Sequence, residues 1–425
     1  MTVLYNGVIV TMNSEMEIHD RGWIEIDDNG NIKDLGKGEP PSKDRDLRGN
    51  MIIPALVNGH THSAMTLLRG YADDLALKDW LEKHIWPAEG KLMNEENINA
   101  GLELAMLEML RCGTGTFCDM YFFSGSELKT VEKAGMRGLM AEGIINFPTP
   151  NSKNGDEAFE YVKQVIEEND TRVAMPVLSV HAPNTTSPEL IEKTAQFAKE
   201  KDMLFVTHTA ETQNEVEEIK KRFNKTPVEH LASLIPKGTK TAMAHMVHLT
   251  DSDMETAARR HFNAVHNPQS NLKLSSGIAR VQAMRDAGIK VSIGTDGPAS
   301  NNNLDMIEEM RTASMIGKGA SPLHVSAEDI MKMGTIEGAR VLGLGEITGS
   351  LEEGKKADIA EIDMNGLEAV PYYDNPYSFI VYALNSRDIK MTMVNGRVLY
   401  NEGEYKTLNK NEIIDRVKTI SREIK

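Results

Sequence analysis

Cysteine is nearly absent from this chain, and long apolar runs and an excess of positive charge are missing altogether. Two cysteines among 425 residues, Cys112 and Cys118, are too few for a disulfide framework, so we expect a reducing, cytoplasmic setting. The formal net charge of −16 argues against nucleic-acid binding, which needs a basic face. No apolar run reaches about 18 residues and no charged-then-apolar leader opens the chain, so we expect no membrane span and no secretory signal.

The two ends of the chain share one pattern, short strands joined by tight turns. Near the start are "VLYNGVIVTM" and the hairpin-like "WIEIDDNGNIKDLG"; near the end are "KKADIAEIDM" and "MTMVNGRVLYNEGEY", where Asn-Gly occupies a turn. Neither end alone is large enough to bury a sheet face. We therefore predict one small β-sandwich domain assembled from residues 1–52 and 350–425.

The middle of the chain alternates short apolar runs with helical patterns. The eight runs are "MIIPALVNGH", "GTGTFCDMYF", "RGLMAEGI", "RVAMPVLSVH", "LFVTHTAE", "TAMAHMVHL", "FNAVHNPQS" and "KVSIGTDG". Eight strands alternating with helices predict an α/β protein with a (β/α)₈ TIM barrel over residues 53–349. The connection over residues 69–97 is unusually long, and long loops at strand C-termini are where such barrels build their sites.

Histidines and acids follow these strands at their C-terminal ends. Seven of the twelve histidines lie there, and the full set is His60, His62, Asp119, His181, His208, Glu211, His245, His248, His266 and Asp296. A single histidine near a strand end is more often structural than a ligand. In a barrel, however, all these strand ends meet at one mouth, and that convergence favours a metal site.

The ligand set we predict is His60, His62, His208 and Asp296, with one Zn²⁺ per subunit. Imidazole nitrogen and carboxylate oxygen suit zinc, and they also accept Fe²⁺ or Mn²⁺. Such an ion lowers the pKa of a bound water and yields a hydroxide nucleophile. Barrel hydrolases with two metals bridge them with a carboxylated lysine or a glutamate near strand four. That stretch is "VLSVHAPNTT" here, so a single ion is predicted.

Three of these residues have the chemistry to move protons. Asp296 could take the proton of the attacking water, Glu211 could act as general acid and base, and His245 could hydrogen-bond the nucleophile. We expect His248 and His266 to be structural or to orient the ligands. The motifs G-x-G-x-x-G, G-x-x-x-x-G-K-[ST] and G-x-S-x-G do not occur in the sequence, so nucleotide-cradling loops and serine hydrolysis lack support.

The sequence resembles the amidohydrolase superfamily over nearly its whole length. The resemblance is carried by "PALVNGHTHSAMTLLRGYADDLALKDWL", "VTHTAET", "AHMVHL", "HNPQSNLKLSSGIA" and "IGTDGPASNNNLDM". Together these segments resemble the branch of 5-methylthioadenosine/S-adenosylhomocysteine deaminases and the 5'-deoxyadenosine deaminases of methanogenic archaea. The resemblance implies zinc-dependent attack on C6 of adenine with loss of ammonia, and protonation of purine N1 by Glu211. It also implies a homotetramer that recycles adenosyl products of S-adenosylmethionine.

The resemblance further implies three substrate contacts and one departure. Glu89 matches a glutamate that binds the ribose hydroxyls, His181 a histidine that contacts the nucleoside, and Trp80 an aromatic wall near the 5' substituent. Some relatives carry an arginine for the amino-acid end of S-adenosylhomocysteine where this chain has Glu142. We therefore expect a preference for 5'-deoxyadenosine and 5'-methylthioadenosine, with S-adenosylhomocysteine and adenosine still possible.

Two other interpretations stay open at this point. The same metal site could serve a guanine or cytosine deaminase or an s-triazine chlorohydrolase, but a free base has no ribose for Glu89 to bind. A catalytically silent barrel acting as a scaffold usually loses its ligands, whereas the whole set is present here.

Overall fold

The computed structural model describes residues 1–320 and 325–423. Its strands, in chain order, are β1 (Thr2–Val10), β2 (Ile18–Ile26), β3 (Ile32–Lys37), β4 (Arg45–Asp46), β5 (Met51–Pro54), β6 (Leu56–Thr61), β7 (Thr114–Tyr121), β8 (Arg137–Glu142), β9 (Ala174–Ser179), β10 (Leu204–Thr209), β11 (Lys240–His245), β12 (Asn263–His266), β13 (Val291–Ile293), β14 (Ile359–Ile362), β15 (Ile389–Val394), β16 (Arg397–Asn401) and β17 (Glu404–Tyr405).

The α-helices lie mostly between the strands of the central region. They are α1 (Leu77–Trp80), α2 (Trp86–Leu92), α3 (Glu95–Arg111), α4 (Ser124–Ala134), α5 (Gly155–Glu168), α6 (Pro188–Glu200), α7 (Gln213–Phe223), α8 (Pro227–Leu234), α9 (Asp251–Arg260), α10 (Pro268–Lys273), α11 (Val281–Asp286), α12 (Met306–Ala320), α13 (Ala327–Met333), α14 (Ile336–Val341), α15 (Pro376–Ser378) and α16 (Lys410–Ile420). Single 3₁₀ turns cover Ser63–Leu68, Leu367–Ala369, Ser386–Asp388 and Ser421–Glu423, and π turns cover Leu81–Ile85 and Phe379–Ala383. Within the described residues, no helix combines the length and apolarity that crossing a bilayer requires.

Strands β6 to β13 form a barrel in which each strand lies beside its neighbour in chain order. All seven pairings are parallel. The last and first strands meet where the backbone N–H of Asp296 donates to the carbonyl of His60 at 3.0 Å. Gly294 lies so close to β6 that a Cβ there would come within 2.7 Å of the His60 nitrogen. The predicted (β/α)₈ barrel is therefore confirmed, and a glycine is required at its seam.

The strands from both termini form a second sheet. Its order is β17-β16-β15-β14-β5-β1-β2-β3, with β4 beside β1. The two ends of the chain join where Pro54 of β5 pairs with Ile359 of β14. The predicted separate β domain formed from both termini is confirmed. Its nine strands are connected by hydrogen bonds into one sheet, because β5 and β14 bridge the N-terminal and C-terminal hairpins. The domain boundaries at residues 52 and 350 stay a prediction.

The first predicted barrel strand, "MIIPALVNGH", is divided in the structure. Its first half, Met51–Pro54, belongs to the terminal sheet, and only Leu56–Thr61 enters the barrel. Between them Ala55 donates its N–H to the carbonyl of Asp358. One apolar run therefore serves two sheets, and both of its halves are buried, which is why hydrophobicity alone did not mark the break.

The long connection after β6 forms a cover beside the barrel mouth, here called the mouth segment (residues 69–93). Its apolar side chains Trp80, Ile85 and Leu92 pack in one cluster with Ile420 of the C-terminal helix α16. Lys91 also donates to the carbonyl of Glu423 at 3.1 Å. The C-terminal helix thus supports the segment that carries two predicted substrate contacts.

A buried ion pair ties the barrel to the terminal sheet. The guanidinium of Arg137, at the start of β8, binds both carboxylate oxygens of Asp358 at 2.9 and 3.1 Å. The side chains are 5 % and 1 % exposed. Asp358 also accepts the N–H of Asn395 at 2.6 Å. Because both charges are desolvated, removing one would leave the other without compensation.

We expect Asp358→Asn to lower the free energy of unfolding by about 3–5 kcal/mol, since it leaves Arg137 buried and unpaired. Denaturant unfolding followed by circular dichroism measures this change. The matched control is Asp202→Asn, which removes the same charge from the exposed pair with Lys240 and should cost less than about 1 kcal/mol. Equal effects of the two substitutions would contradict this role of the buried pair.

Candidate active site

Three imidazoles and one carboxylate meet at the barrel mouth. The Nε2 atom of His208 lies 3.1 Å from Nε2 of His60 and 3.2 Å from Nε2 of His62. The Oδ1 atom of Asp296 lies 3.5 Å from Nε2 of His60 and 3.3 Å from Nε2 of His62. The sequence predicted that these four residues meet, and their side chains lie together in the structure.

A fifth side chain, His245, belongs to the same cluster. Ligand atoms of His60, His208, His245 and Asp296 all lie within 4.8 Å of one another, all four residues are buried, and the group has the geometry to hold a metal ion. His62 lies at comparable distances but is slightly exposed at the cavity, with a side chain 16 % accessible. Five candidate donors therefore surround one point.

The tautomers of two imidazoles are set by backbone carbonyls. Nδ1 of His62 lies 2.6 Å from the carbonyl of Met120, and Nδ1 of His208 lies 2.6 Å from the carbonyl of His181. Each Nδ1 must donate its proton to the carbonyl, which leaves an unprotonated Nε2 lone pair facing the centre of the cluster. Oδ1 of Asp296 is buried and accepts no hydrogen bond from the described residues. Lone pairs held this close repel unless a cation lies among them, so the donor set fits zinc.

Burial and neighbouring charges hold these groups in the protonation states that bind metal. Burial lowers the pKa of His60 to about 4, and burial lowers the pKa of His208 well below its ordinary value. For Asp296, burial alone would raise the pKa, but His60 and the surrounding imidazoles lower it well below its ordinary value. Two neutral imidazoles and an ionised carboxylate are therefore expected at neutral pH.

The backbone is strained where two of these side chains leave the barrel. Asp296 has φ 60° and His245 has φ 74°, in the left-handed region that residues with side chains seldom adopt. Such strain persists at functional sites when the surrounding structure enforces it. Here the two positions are the last residue of β11 and the third residue after β13, and both side chains belong to the cluster.

One short segment, residues 270–276, contacts three side chains to which we assigned proton chemistry. Ser270 Oγ donates to Oδ2 of Asp296 at 2.5 Å, Asn271 Oδ1 lies 2.8 Å from Nδ1 of His245, and Ser276 Oγ donates to Oε1 of Glu211 at 2.9 Å. No role for the residues of this segment was predicted from the sequence. Its only available signal was the motif "HNPQSNLKLSSGIA", which the resemblance includes.

Glu211 and His245 face each other at the edge of the cluster. Nε2 of His245 lies 3.7 Å from Oε2 of Glu211. Burial raises the pKa of Glu211. Burial also opposes the charged form of His245, but Glu211 and Asp296 outweigh it and raise the pKa of His245. A carboxyl with a raised pKa beside a carboxylate and an imidazole is the arrangement that general acid–base catalysis uses.

A cavity of about 950 Å³ opens from the cluster toward solvent. Its lining includes all three predicted substrate contacts, Trp80, Glu89 and His181. Glu89 is buried and accepts a hydrogen bond from the hydroxyl of Tyr121 at 2.7 Å, a partner that the sequence did not suggest. Burial lowers the pKa of His181 to about 3, so this histidine meets a ligand as neutral imidazole.

Three other residues singled out from the sequence lie around the cluster without joining it. His266 and Asp119 are buried; Asp119 accepts the N–H of Ser63 at 2.6 Å. His248 contacts the carbonyl of Ser276 at 2.6 Å and lines the cavity rim. None of these three belongs to the metal-binding cluster in the described part of the chain.

Glu142, which replaces the arginine of some relatives, does not line the cavity. Its carboxylate accepts the N–H of Ser124 and the side-chain amide of Asn151, both at 2.9 Å, and the residue is 1 % exposed. Among the described residues that line the cavity there is no arginine, and Lys78 is the one lysine. Lys78 lies 4.0 Å from the carboxylate of Glu82, so it is partly neutralised.

A parallel barrel with a His-rich metal cluster at its C-terminal mouth defines the class of metal-dependent barrel hydrolases. Residues 51–399 match the model of the amidohydrolase family, and the chain belongs to that family. It is 38% identical to a 5-methylthioadenosine/S-adenosylhomocysteine deaminase of Syntrophobacter fumaroxidans, covering 100% of this chain and 98% of the relative. It is 37% identical to a 5'-deoxyadenosine deaminase of Methanosarcina acetivorans over 99% of this chain and 98% of the relative.

Solved structures agree with this assignment. A zinc-bound adenosine deaminase from Xanthomonas campestris superimposes with a TM-score of 0.95 at 31% identity, covering 100% of this chain and 98% of that chain. The atrazine chlorohydrolase TrzN of Arthrobacter aurescens, complexed with zinc, superimposes with a TM-score of 0.91 at 22% identity over 99% of this chain and 100% of that chain. At that identity the second likeness shows the fold alone.

We expect removal of metal with a chelator to lower the melting temperature by several degrees, and added Zn²⁺ to restore it. A ligand that binds only the folded state at 1,000 times its Kd stabilises by about 4 kcal/mol. Differential scanning fluorimetry measures the shift. Asp296→Asn is the informative variant, because asparagine tolerates the left-handed backbone but lacks the charge; its zinc-dependent shift should shrink. An undiminished shift in that variant would place the ion elsewhere.

Proposed function

We propose that this protein hydrolyses the 6-amino group of adenosine-type nucleosides, giving the inosine analogue and ammonia. The observation that carries the proposal is the metal cluster beside Glu211, in a cavity whose wall also carries the buried carboxylate of Glu89. The first site can activate water and transfer protons, and the second can accept two ribose hydroxyls. The names of the relatives described above support the same reaction.

We propose His60, His62, His208 and Asp296 as the residues that would hold the zinc ion. Nε2 of His208 lies 3.1 and 3.2 Å from Nε2 of His60 and His62, and Oδ1 of Asp296 lies 3.5 and 3.3 Å from the same two atoms. His245 is set apart because its Nε2 faces Glu211. When bound, zinc would supply Lewis-acid activation of a water molecule at this point.

The side chains of the chain itself then move the protons of the reaction. Oδ1 of Asp296 accepts a proton from the attacking water while Ser270 holds the other oxygen. Glu211, whose pKa burial raises, donates its proton to N1 of the purine as the oxygen adds to C6. His245 donates a hydrogen bond to the adding oxygen. The proton gained by Asp296 then goes to the departing nitrogen, and the C6–N6 bond breaks to release ammonia. Glu211 regains its proton from the C6 hydroxyl, whose oxygen becomes the carbonyl of the inosine analogue.

The outer part of the cavity favours small or apolar 5' substituents in this proposal. The mouth segment contributes Trp80 and Trp86, and Phe147 lies across from Trp86 with ring centroids 4.9 Å apart. Glu82 and Glu218 also line this part, and they would repel a carboxylate. We therefore place 5'-deoxyadenosine and 5'-methylthioadenosine above S-adenosylhomocysteine, with adenosine also accepted.

The test is a panel assay that follows the ultraviolet shift from adenine to hypoxanthine. We expect kcat/KM for 5'-deoxyadenosine to exceed that for S-adenosylhomocysteine by about tenfold or more, the factor that corresponds to a lost charged hydrogen bond of about 1.5 kcal/mol. Guanine, cytosine and s-triazines complete the panel. Turnover of those compounds without turnover of nucleosides would replace the proposal with a guanine or cytosine deaminase or an s-triazine chlorohydrolase.

The control within this assay is Glu211→Gln, which keeps the size and polarity of the side chain but cannot deliver a carboxyl proton. Its turnover should fall by about 10²–10⁴-fold, the usual contribution of a general acid–base group, while its zinc content stays unchanged. Full activity of this variant would assign the proton transfer to another residue.

The ligand set is tested by a matched pair, His62→Asn and His245→Asn. We expect His62→Asn to lose stoichiometric zinc after dialysis, because it removes a ligand, and His245→Asn to retain zinc while kcat falls by about 100-fold. Metal analysis and kinetics of the same samples measure both quantities. The reverse pattern of zinc loss would make His245 the ligand in place of His62.

We further propose that the enzyme works as a homotetramer in the cytoplasm, where it recycles adenosyl products of S-adenosylmethionine. The support for assembly is the family resemblance together with the exposed apolar residues Leu367, Val370 and Tyr373. Two free, buried cysteines are compatible with a reducing compartment.

A further inference from the structure

The hydroxyl of Tyr121 and the carboxylate of Glu89 form a buried contact inside the cavity. The hydroxyl donates to Oε1 of Glu89 at 2.7 Å. Tyr121 is 4% exposed and Glu89 is 6% exposed, yet both line the cavity. No other described residue hydrogen-bonds the Glu89 side chain, so its second oxygen, Oε2, is left for a ligand.

This contact joins two parts of the molecule that are held differently. Tyr121 ends barrel strand β7, where its carbonyl accepts the N–H of Gly143 at 2.6 Å. Glu89 lies on α2 in the mouth segment. Around α2 the segment packs through apolar side chains, whereas the hydrogen bonds of Arg69 and Asp73 lie at its start. Apolar packing fixes the position of a helix less specifically than a hydrogen bond fixes a carboxylate. The hydrogen bond from the Tyr121 hydroxyl therefore fixes the position of Glu89 relative to the barrel strands that carry the metal cluster.

The hydrogen bond also favours the form of Glu89 that can accept ribose hydroxyls. Burial raises the pKa of Glu89 to about 7, and the hydrogen bond from Tyr121 acts in the opposite direction. A protonated carboxyl would have to donate a hydrogen bond, whereas an ionised one accepts from two adjacent hydroxyls.

We infer that Tyr121 is a positioning residue which orients Glu89 to bind the ribose hydroxyls, and so makes the site selective for nucleosides over compounds without a ribose. This inference rests on the proposed function. In this assignment Tyr121 contacts neither C6 of the purine nor a group that transfers a proton. It acts through Glu89. Its removal should therefore weaken ground-state binding of the sugar and leave the chemical step nearly intact.

The experiment compares Tyr121→Phe with the unmodified holoenzyme on two substrates, 5'-deoxyadenosine and 2',5'-dideoxyadenosine. For 5'-deoxyadenosine we expect KM to rise about tenfold, the factor for about 1.4 kcal/mol of lost hydrogen bonding, with kcat and zinc content nearly unchanged. For the analogue without the 2'-hydroxyl, the same substitution should change KM less than about threefold, since one partner of Glu89 is already absent.

Two further variants separate positioning from general damage. Tyr161→Phe is the matched control, because its hydroxyl accepts only the N–H of Gly125 at 3.1 Å, outside the cavity; it should change neither KM nor kcat. Glu89→Gln should raise KM for 5'-deoxyadenosine, and adding Tyr121→Phe to it should raise KM little further, because both substitutions disable one contact.

The outcomes distinguish this inference from the proposed function. If the unmodified enzyme deaminates no nucleoside on the panel, the proposed function fails first. If it does deaminate them, but Tyr121→Phe raises KM equally for both substrates or lowers kcat at constant KM, the assignment of Tyr121 is overturned.

Discussion

The closure of the barrel between its last and first strands is the constraint on which the site depends. The backbone hydrogen bond from Asp296 to His60 and the close approach of Gly294 to β6 join distant parts of the sequence. They bring the carboxylate of Asp296 to the imidazoles of His60 and His62. Barrel geometry alone does not set their protonation. That follows from backbone carbonyls that fix the tautomers of His62 and His208, and from burial that lowers the pKa values of His60 and His208 and keeps these two imidazoles neutral. Fold and electrostatics together create a cluster of lone pairs that a cation completes.

The groups around that cluster share a common support. Residues 270–276 contact Oδ2 of Asp296, Nδ1 of His245 and Oε1 of Glu211. Because one short segment, which begins in helix α10, contacts all three groups, their positions are coupled. Proton transfer between such groups depends steeply on distance, so a shared support preserves the geometry better than three independent loops would. The mouth segment is different, since it approaches the cavity from outside the barrel. Polar contacts of Arg69 and Asp73 hold its start, and α16 and Tyr121 hold the part that carries Glu89.

Much of this organisation was readable from the residues themselves. The eight runs and the histidines at their ends predicted the barrel and the meeting of His60, His62, His208 and Asp296, because parallel strands deliver their C-termini to one mouth. The division of the first apolar run into β5 and β6, just after Pro54, could not be predicted from the sequence, since both halves of that run are buried. Nor could Ser276, Asn271 and Tyr121 be predicted, since their hydrogen bonds depend on loop paths that no local pattern encodes. From the sequence, Glu142 could be recognised only as the position where some relatives have an arginine. The hydrogen bonds from Ser124 and Asn151, which hold its carboxylate away from the cavity, could not be predicted.

The composite terminal sheet has a consequence for biosynthesis. Strand β5 can pair with β14 only after the ribosome has added roughly 300 further residues, which at about 5–20 residues per second takes roughly 15–60 s. During that interval the N-terminal strands carry an unpaired edge, a feature that invites aggregation. Only one residue separates β5 from β6. Early folding of the barrel would therefore hold the unpaired edge of β5 against the barrel. During synthesis the barrel, which is translated second, would therefore protect the edge of the N-terminal strands until β14 to β17 have been translated.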